Sequence, residues 1–394
     1  MVNQTEFDEL LSLLRGFVRR EVLPAEAGID ATDEIPARLI AQAKEMGLYG
    51  YALPTEYGGL GLSVTQQVRV AIELGYASPA FRSLFGTNNG IAGQVLVSAG
   101  TAEQRKQWLP QLASGEVVAS FALTEPDAGS DPSRLATMAQ PVNGDGEEGT
   151  GRRVGGGSGG WVIDGLKRYI TNAPAADMFL VFARTDPDAP PGKGIGVFIV
   201  PASTPGVAIA PRDHKMGQAG AWTADVAFSA VRVPADALVG QAAQAGYGTA
   251  MRSLAHGRLT IAGVCVGVSA RLIEESVSYA RNRSQGGHPI AEYQLIQAML
   301  ADSQTEYMAA RALVLDAAAQ YEAGTDRRLA PSAAKYFASE AVGRIADRAV
   351  QIHGGSGYIR GVPAERLYRD VRLFRIYEGT SQIQQLVIAR ELLR

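Results

Sequence analysis

One carboxylate near the end of the chain has neighbours suited to proton transfer. In Arg375-Ile376-Tyr377-Glu378-Gly379-Thr380-Ser381-Gln382 it lies between a tyrosine and a glycine, and two hydroxyls and an amide follow. Thr380 or Ser381 can cap a closing helix with apolar positions at Ile383, Leu386, Val387 and Leu392, and Gly379 frees the turn before it. Two readings of Glu378 stand side by side. As a capping or surface glutamate it would titrate normally. Lined by Phe374, Ile376 and Tyr377 it would lose hydration, its pKa would rise, and it would suit a general base near neutral pH.

Four other stretches gather polar groups at element ends. Phe121-Ala122-Leu123-Thr124-Glu125-Pro126-Asp127-Ala128-Gly129-Ser130-Asp131 closes a β run. Thr124 and Ser130 offer hydroxyls there, and Ala128-Gly129 lets backbone N–H groups approach a phosphate or ring edge, although an ordinary turn has the same composition. Lys167-Arg168-Tyr169-Ile170-Thr171-Asn172 is an aromatic strand end. Between Arg281 and Gln294 a helix ends and another begins across a glycine-rich break, where arginines either grip a pyrophosphate or are simply solvated. Gln351-Ile352-His353-Gly354-Gly355-Ser356-Gly357 reads as a helix closed by glycine. The four histidines share no metal-ligand spacing with each other or with Cys265, so no metal site is expected.

These stretches need elements to hold them. Phe7, Leu10, Leu11, Leu14, Phe17 and Val18 predict a helix ended by Pro24; Pro36 opens a second that stops near Gly47. A glycine-rich turn at Leu53 to Gly61 precedes another helix, one more covers Gly90 to Ala99, and a capping box from Thr101 to Gln104 starts the next. From Val117 the pattern changes to short β runs at Val117 to Leu123, Trp161 to Ile170, Met178 to Ala183, Ile195 to Pro201, Val207 to Ala210 and Ala224 to Val233. They predict a small antiparallel barrel or sandwich. The insert Asn143 to Gly160 reads as a mobile hairpin loop; its formal hydrolase and dinucleotide patterns lack the flanking strand and helix and are discarded. Long helical patterns return at Gly248 to Arg283, Ile290 to Glu322, Pro331 to His353 and Ser381 to Leu393. The expected fold class is α+β and multidomain: N-terminal helices over 1–116, a β domain over 117–236 and a four-helix-type bundle over 237–394.

The 394 residues suffice for several cores, and a net charge of −3 without a long basic run excludes a nucleic-acid partner. No run of about 18 apolar residues spans a membrane. Acidic Glu6, Asp8 and Glu9, without a signal-peptide core, point to a cytoplasmic bacterial chain rather than a secreted one, with a trimmed mitochondrial protein as the alternative. Cys265, the only cysteine, lies in an apolar run and reads as a core residue in a reducing compartment.

Over the whole chain, these segments resemble the acyl-CoA dehydrogenase family of flavoproteins. The resemblance rests on Leu123-Thr124-Glu125-Pro126-x-Ala128-Gly129-Ser130-Asp131, Tyr169-Ile170-Thr171-Asn172, Gln351-x-His353-Gly354-Gly355-x-Gly357-Tyr358, Arg366-x-x-Arg369-Asp370 and Ile376-Tyr377-Glu378-Gly379-Thr380-x-Gln382-Ile383-Gln384, in that order. It implies FAD between the β domain and the C-terminal bundle. Phe121, Leu123, Thr124, Tyr169, Ile170 and Thr171 would line the flavin ring, with Gly129 beside them and Ser130 on the pyrophosphate. Arg283, Gln294, Gln351, Gly354 and Gly355 would complete a flavin site across a subunit interface, within a homotetramer built as a dimer of dimers. Thr380 and Gln382 would contact the cofactor too.

The reaction implied is dehydrogenation of an acyl-CoA thioester to the trans-2-enoyl-CoA. Glu378 would take the α-proton while the β-hydrogen leaves as hydride to flavin N5, and a ribityl hydroxyl with the Glu378 N–H would polarise the thioester oxygen. Ser130, Arg258, Tyr377 and Gly379 would contact substrate, and an electron-transferring flavoprotein would accept the electrons. The chain departs from the family at Gly286, where a phenylalanine is usual, at Tyr169, at Lys215 to Thr223, which lacks an arginine and a serine, and in its long 143–160 loop. Phe81-Arg82-Ser83-Leu84-Phe85-Gly86-Thr87-Asn88-Asn89 resembles the segment of glutaryl-CoA dehydrogenases whose arginine holds a distal carboxylate, with Gly86 in place of serine. Arg82 would thus select a carboxylated acyl group, or be structural beside a simple short- to medium-chain one. A carrier-protein-bound acyl group is the further alternative.

Overall fold

The computed structural model describes residues 2–142, 159–240 and 243–394. Helices fill both ends of the chain and strands its middle. The first helix, α1 (Gln4–Phe17), opens on a capping box at Asn3 and does not stop at Pro24. It runs through a π turn (Val18–Val22) into α2 (Leu23–Thr32), where the proline takes a first-turn position that needs no N–H. After α3 (Ala37–Glu45) and α4 (Val64–Gly75) comes a helix the sequence pattern did not yield, α5 (Pro79–Gly86). A second π turn (Thr87–Ile91) joins it to α6 (Ala92–Ala99). The predicted capping box opens α7 (Ala102–Ser114).

All six predicted β runs are strands, and a seventh was missed. The order is β1 (Ala119–Ala122), the missed β2 (Met138–Pro141), β3 (Gly160–Thr171), β4 (Met178–Arg184), β5 (Ile195–Pro201), β6 (Val207–Ile209) and β7 (Thr223–Pro234). They form one sheet, ordered β1-β4-β2-β3-β7-β6 with β5 on β4. Most pairings are antiparallel as expected, but β1 and β2 each run parallel to β4, so the sheet is mixed. Residues 143–158 of the expected hairpin lie outside the described residues.

The last part packs α8 (Gly246–Asn282), α9 (Gln294–Ala323) and α10 (Leu329–His353) around one core, closed by α11 (Pro363–Val371) and α12 (Ser381–Leu392). That core includes Val68 and Ala71 of α4, so the two helical parts share an interior. Glycine permits the close crossing: an added Cβ on Gly75 would lie 2.8 Å from the Val264 Cα, and one on Gly267 2.8 Å from the Gly75 Cα. A buried ion pair, Glu26 of α2 with Arg366 of α11, and a half-buried one, Asp30 with Arg369 at 3.0 Å, fasten the same interface. The apolar stripe expected on α12 is not covered within one chain: Leu386 and Leu392 are exposed, and its buried residues are Ser381 and Gln384.

Candidate active site

Glu378 stands on a turn between the 3-10 segment Arg372–Arg375 and α12, whose cap is Thr380 as expected. Its backbone is left-handed, φ +53°, and Gly379 follows at +90°. For a residue with a side chain that conformation costs roughly 1–2 kcal/mol, so neighbours must hold it. Two do. Lys335 Nζ on α10 donates to the Gly379 carbonyl at 2.7 Å, and Gln384 Nε2 on α12 donates to the Glu378 and Gly379 carbonyls, both at 3.0 Å. The Glu378 N–H has no backbone partner among the described residues.

Glu378 is half-buried, and its Oε2 is shielded from solvent without a hydrogen bond among the described residues. Phe374 lies in the core beneath the turn, but Ile376 points outward, so the expected apolar lining is only partly there. Glycine at 257 leaves the carboxylate its place: an added Cβ would overlap Oε2 and lie 3.0 Å from Cδ. Burial raises the Glu378 pKa, as the sequence reading required. The charges of Arg82, Lys335 and Arg258, in falling order, pull it back. One carboxylate thus faces three cations from α5, α10 and α8.

Arg82, 8% exposed, donates from Nη2 to Thr260 Oγ1 at 2.9 Å, while its Nε is unpartnered and no carboxylate lies within 4.0 Å among the described residues. Its guanidinium folds back along α5 into the space over Gly86, where an added Cβ would sit 2.8 Å from Nη1. Arg258 donates to Ser332 Oγ at 3.1 Å and keeps an unpartnered Nε. Asn88 and Asn89 are architectural: Asn88 bonds the Leu112 and Val117 carbonyls, and Asn89 those of Leu48 and Phe85.

A second wall comes from the sheet. Tyr169 is also left-handed, φ +56°, at a bulge where the β3–β7 register slips between Lys167 and Ile170, and the kink turns its ring outward to 63% exposure. Beneath it Lys167 Nζ bonds Glu125 Oε1 at 2.7 Å and the Phe182 carbonyl at 2.6 Å, while Glu125 accepts the Thr137 N–H at 2.9 Å. This knot fixes Leu123 and Thr124 above it. Burial pushes the Glu125 carboxyl up, but Lys167 and the amides outweigh it and the net shift is down. Asn172 Nδ2 reaches the Ser83 carbonyl and Thr87 Oγ1, both at 3.0 Å, tying β3 to the helix that carries Arg82. Ile91 packs on the core that holds Phe121, Leu123 and Ala128, and its Cγ2 lies 3.1 Å from where an added Cβ on Gly257 would sit beside Glu378, so it links the two walls. Gly129 and Ser130 are exposed, with no backbone partners for their N–H groups among the described residues.

The remaining predicted positions lie elsewhere. Arg283, Gln294, Gln351, Gly354 and Gly355 are exposed at the far end of the bundle. They sit together there: Tyr279 stacks on His353 at 4.2 Å, close to the Arg283 end of α8. At 1.5 Å per residue, about 39 Å of helix separates Arg283 from Gly257 beside Glu378. Gln382 is exposed on α12. The sequence reading missed Lys335, Gly257 and Gln384. Lys335 alone left a trace, a lysine at helical spacing from Ser332, Ser339 and Val342 on a small-residue face. Cys265 is buried in the core as expected, and no metal-holding group occurs among the described residues. No helix among them is long and apolar enough to cross a membrane.

Residues 4–116, 120–231 and 244–393 match, in turn, the N-terminal, middle and C-terminal domains described as acyl-CoA dehydrogenase. A 3-(aryl)acrylate reductase of Clostridium sporogenes is 38% identical over 391 residues, 99% of either chain. Among solved structures, butyryl-CoA dehydrogenase from Megasphaera elsdenii superposes with a TM-score of 0.91 at 31% identity, covering 98% of both chains. Glutaryl-CoA dehydrogenase from Mycobacterium smegmatis gives 0.88 at 32%, covering 99% of this chain and 95% of that one.

Proposed function

The chain belongs to the acyl-CoA dehydrogenase family of FAD-dependent oxidoreductases, and from that premise we propose that it desaturates an acyl-CoA thioester between Cα and Cβ with Glu378 as the base. The observation that carries this reading is the Glu378 carboxylate, its Oε2 shielded and unpartnered among the described residues, held on a left-handed turn. A solvated carboxylate is far too weak a base for the α-proton of a thioester. Burial raises its pKa and strengthens it as a base, while three cations pull that pKa back. The unpartnered Glu378 N–H is placed to donate to the thioester oxygen, where negative charge grows as the proton leaves. Tyr377 walls the site, and Arg258 and Ser130 flank the path of the carrier.

The residues fit a flavin. Tyr169 offers an exposed ring, Leu123 and Thr124 stand on a rigid knot, and an added Cβ on Gly129, Gly354 or Gly355 would meet nothing within 4 Å. FAD, when bound, supplies the two-electron acceptor for the β-hydrogen. The length of α8 between Arg283 and the Gly257–Glu378 contact supports a flavin site completed by a second chain, in a homotetramer. The uncovered Leu295, Met308, Tyr358, Leu386 and Leu392 supply apolar surface for such contacts. An electron-transferring flavoprotein is the acceptor we assign.

For the acyl group we favour a simple short- to medium-chain substrate. Arg82 keeps a second reading alive, because a buried guanidinium with no carboxylate within 4.0 Å among the described residues suits a substrate that brings one. Anaerobic titration with a panel of acyl-CoAs, followed by flavin absorbance, decides between them. Bleaching by simple acyl-CoAs alone makes Arg82 structural. Bleaching by glutaryl-CoA, lost in Arg82→Ala while butyryl-CoA still binds, places a carboxylate against it. Glu378→Gln should retain FAD and lose at least about a thousandfold in reduction rate. A Glu378→Gln enzyme bleached at the wild-type rate sinks the base assignment.

A further inference from the structure

Resting on Glu378 as the base, we propose that Lys335 is its positioning residue, fixing the left-handed Glu378–Gly379 backbone from below and facing the carboxylate with a buried ammonium. Lys335 is fully buried, midway along the small-residue face of α10 that carries Ser332 and Ser339. It forms no salt bridge within 4.0 Å among the described residues, and its hydrogen bond goes to the Gly379 carbonyl at 2.7 Å. Burying a lysine without a paired carboxylate is costly, and the Met or Leu that would fill this space costs nothing of the kind. Its cost is accounted for by the turn above it. Without a donor from α10, Gln384 alone would have to hold two adjacent carbonyls against the strain at φ +53°.

The charged and titratable groups around the carboxylate come from every element packed on it. Arg82 faces it from α5, Arg258 from α8, Lys335 from α10 and the Tyr377 hydroxyl from the turn itself. The Cys265 thiol of α8 and Glu340 of α10 face Lys335 in turn. Burial pushes that thiol far up, leaving it neutral, and Glu340 is occupied by Arg375 at 3.2 Å and Ser381 at 2.5 Å. Burial also lowers Lys335 to about 8, so it is charged at neutral pH. Arg82 and Arg258 direct hydrogen bonds to Thr260 and Ser332. Of the three cations, Lys335 is the one bonded to the backbone that carries the base.

The test is the pH profile of flavin reduction in the FAD-loaded enzyme, measured for wild type, Lys335→Met, Lys335→Gln and Lys335→Arg, with Glu378→Gln alongside. Loss of the ammonium should raise the pKa of the base, so the acidic limb should move to higher pH by a unit or more. Below that limb Lys335→Met should then be at least about tenfold slower than wild type, with further loss on the plateau from a loosened turn. Lys335→Arg should restore the limb. A residue that only fills space would change the rate without moving it. If Lys335→Met does not fold, Lys335→Gln supplies a shorter, neutral polar side chain that removes the charge, and its limb is read alone. Unshifted limbs in Met and Gln variants, with Glu378→Gln inactive, overturn the proposal and leave the base in place. An active Glu378→Gln overturns the base assignment instead.

Discussion

At the scale of single residues, the site depends on space as much as on charge. Gly257 leaves a gap in α8 that the Glu378 carboxylate occupies. Gly257→Ala should therefore displace the base while favouring the helix by up to about 1 kcal/mol. We expect flavin reduction to slow at least about tenfold with the melting temperature unchanged or raised, and a variant of normal rate would show that the carboxylate has room to move. Glu378, the α12 cap Thr380 and the freedom of Gly379 were legible because they are local, a carboxylate and turn residues within a few positions of a helix start. Lys335 and Gly257 were not, since they reach the turn from other helices and no spacing links them to it. Arg82 was legible as a buried arginine, but not its fold back over Gly86, which follows from side-chain packing.

At the scale of elements, the Lys167–Glu125 pair joins the end of β1 to β3 and β4 under the proposed flavin wall. Removing one partner strands a buried charge. Lys167→Met should cost about 3–5 kcal/mol and weaken FAD retention, read as a lower melting temperature and flavin lost on gel filtration. Unchanged flavin content would mean that the knot does not govern the wall. The six short β runs and the four long C-terminal helical patterns were legible from periodicity. Strand β2 was not, being four residues ending in proline at a sheet position set by its partners β3 and β4. The parallel pairings of β4 are likewise a property of the chain's route rather than of its pattern. Pro24 misled because a π turn ahead of it restarted the helix. Helix α12 was legible from its sequence, but the apolar face expected on it is open in a single chain, where Ser381 and Gln384 are the buried residues instead.

At the scale of the molecule, pH should act on stability through a buried histidine that lies among the cations of the site. His256 of α8 is buried, bonds Gln67 at 2.8 Å and is pushed down to about 4 by burial, with Arg82 adding to the effect. Its ordinary pKa is 6.5, so between 6.5 and 4 the unfolded chain takes a proton there that the folded chain refuses. Stability should thus fall as pH drops through that window, by up to about 3 kcal/mol from this group. Melting temperatures of wild type and His256→Gln between pH 4 and 7 check it: the variant should show a shallower slope, and parallel curves would refute the assignment. The left-handed backbone at Glu378 has a consequence of another kind. Glycine there would relax the turn and remove a buried charge, so the sturdiest version of this fold is one without a base. Selection for heat resistance alone would drift toward an inert protein, and the glutamate persists at 378 only while its chemistry is under selection.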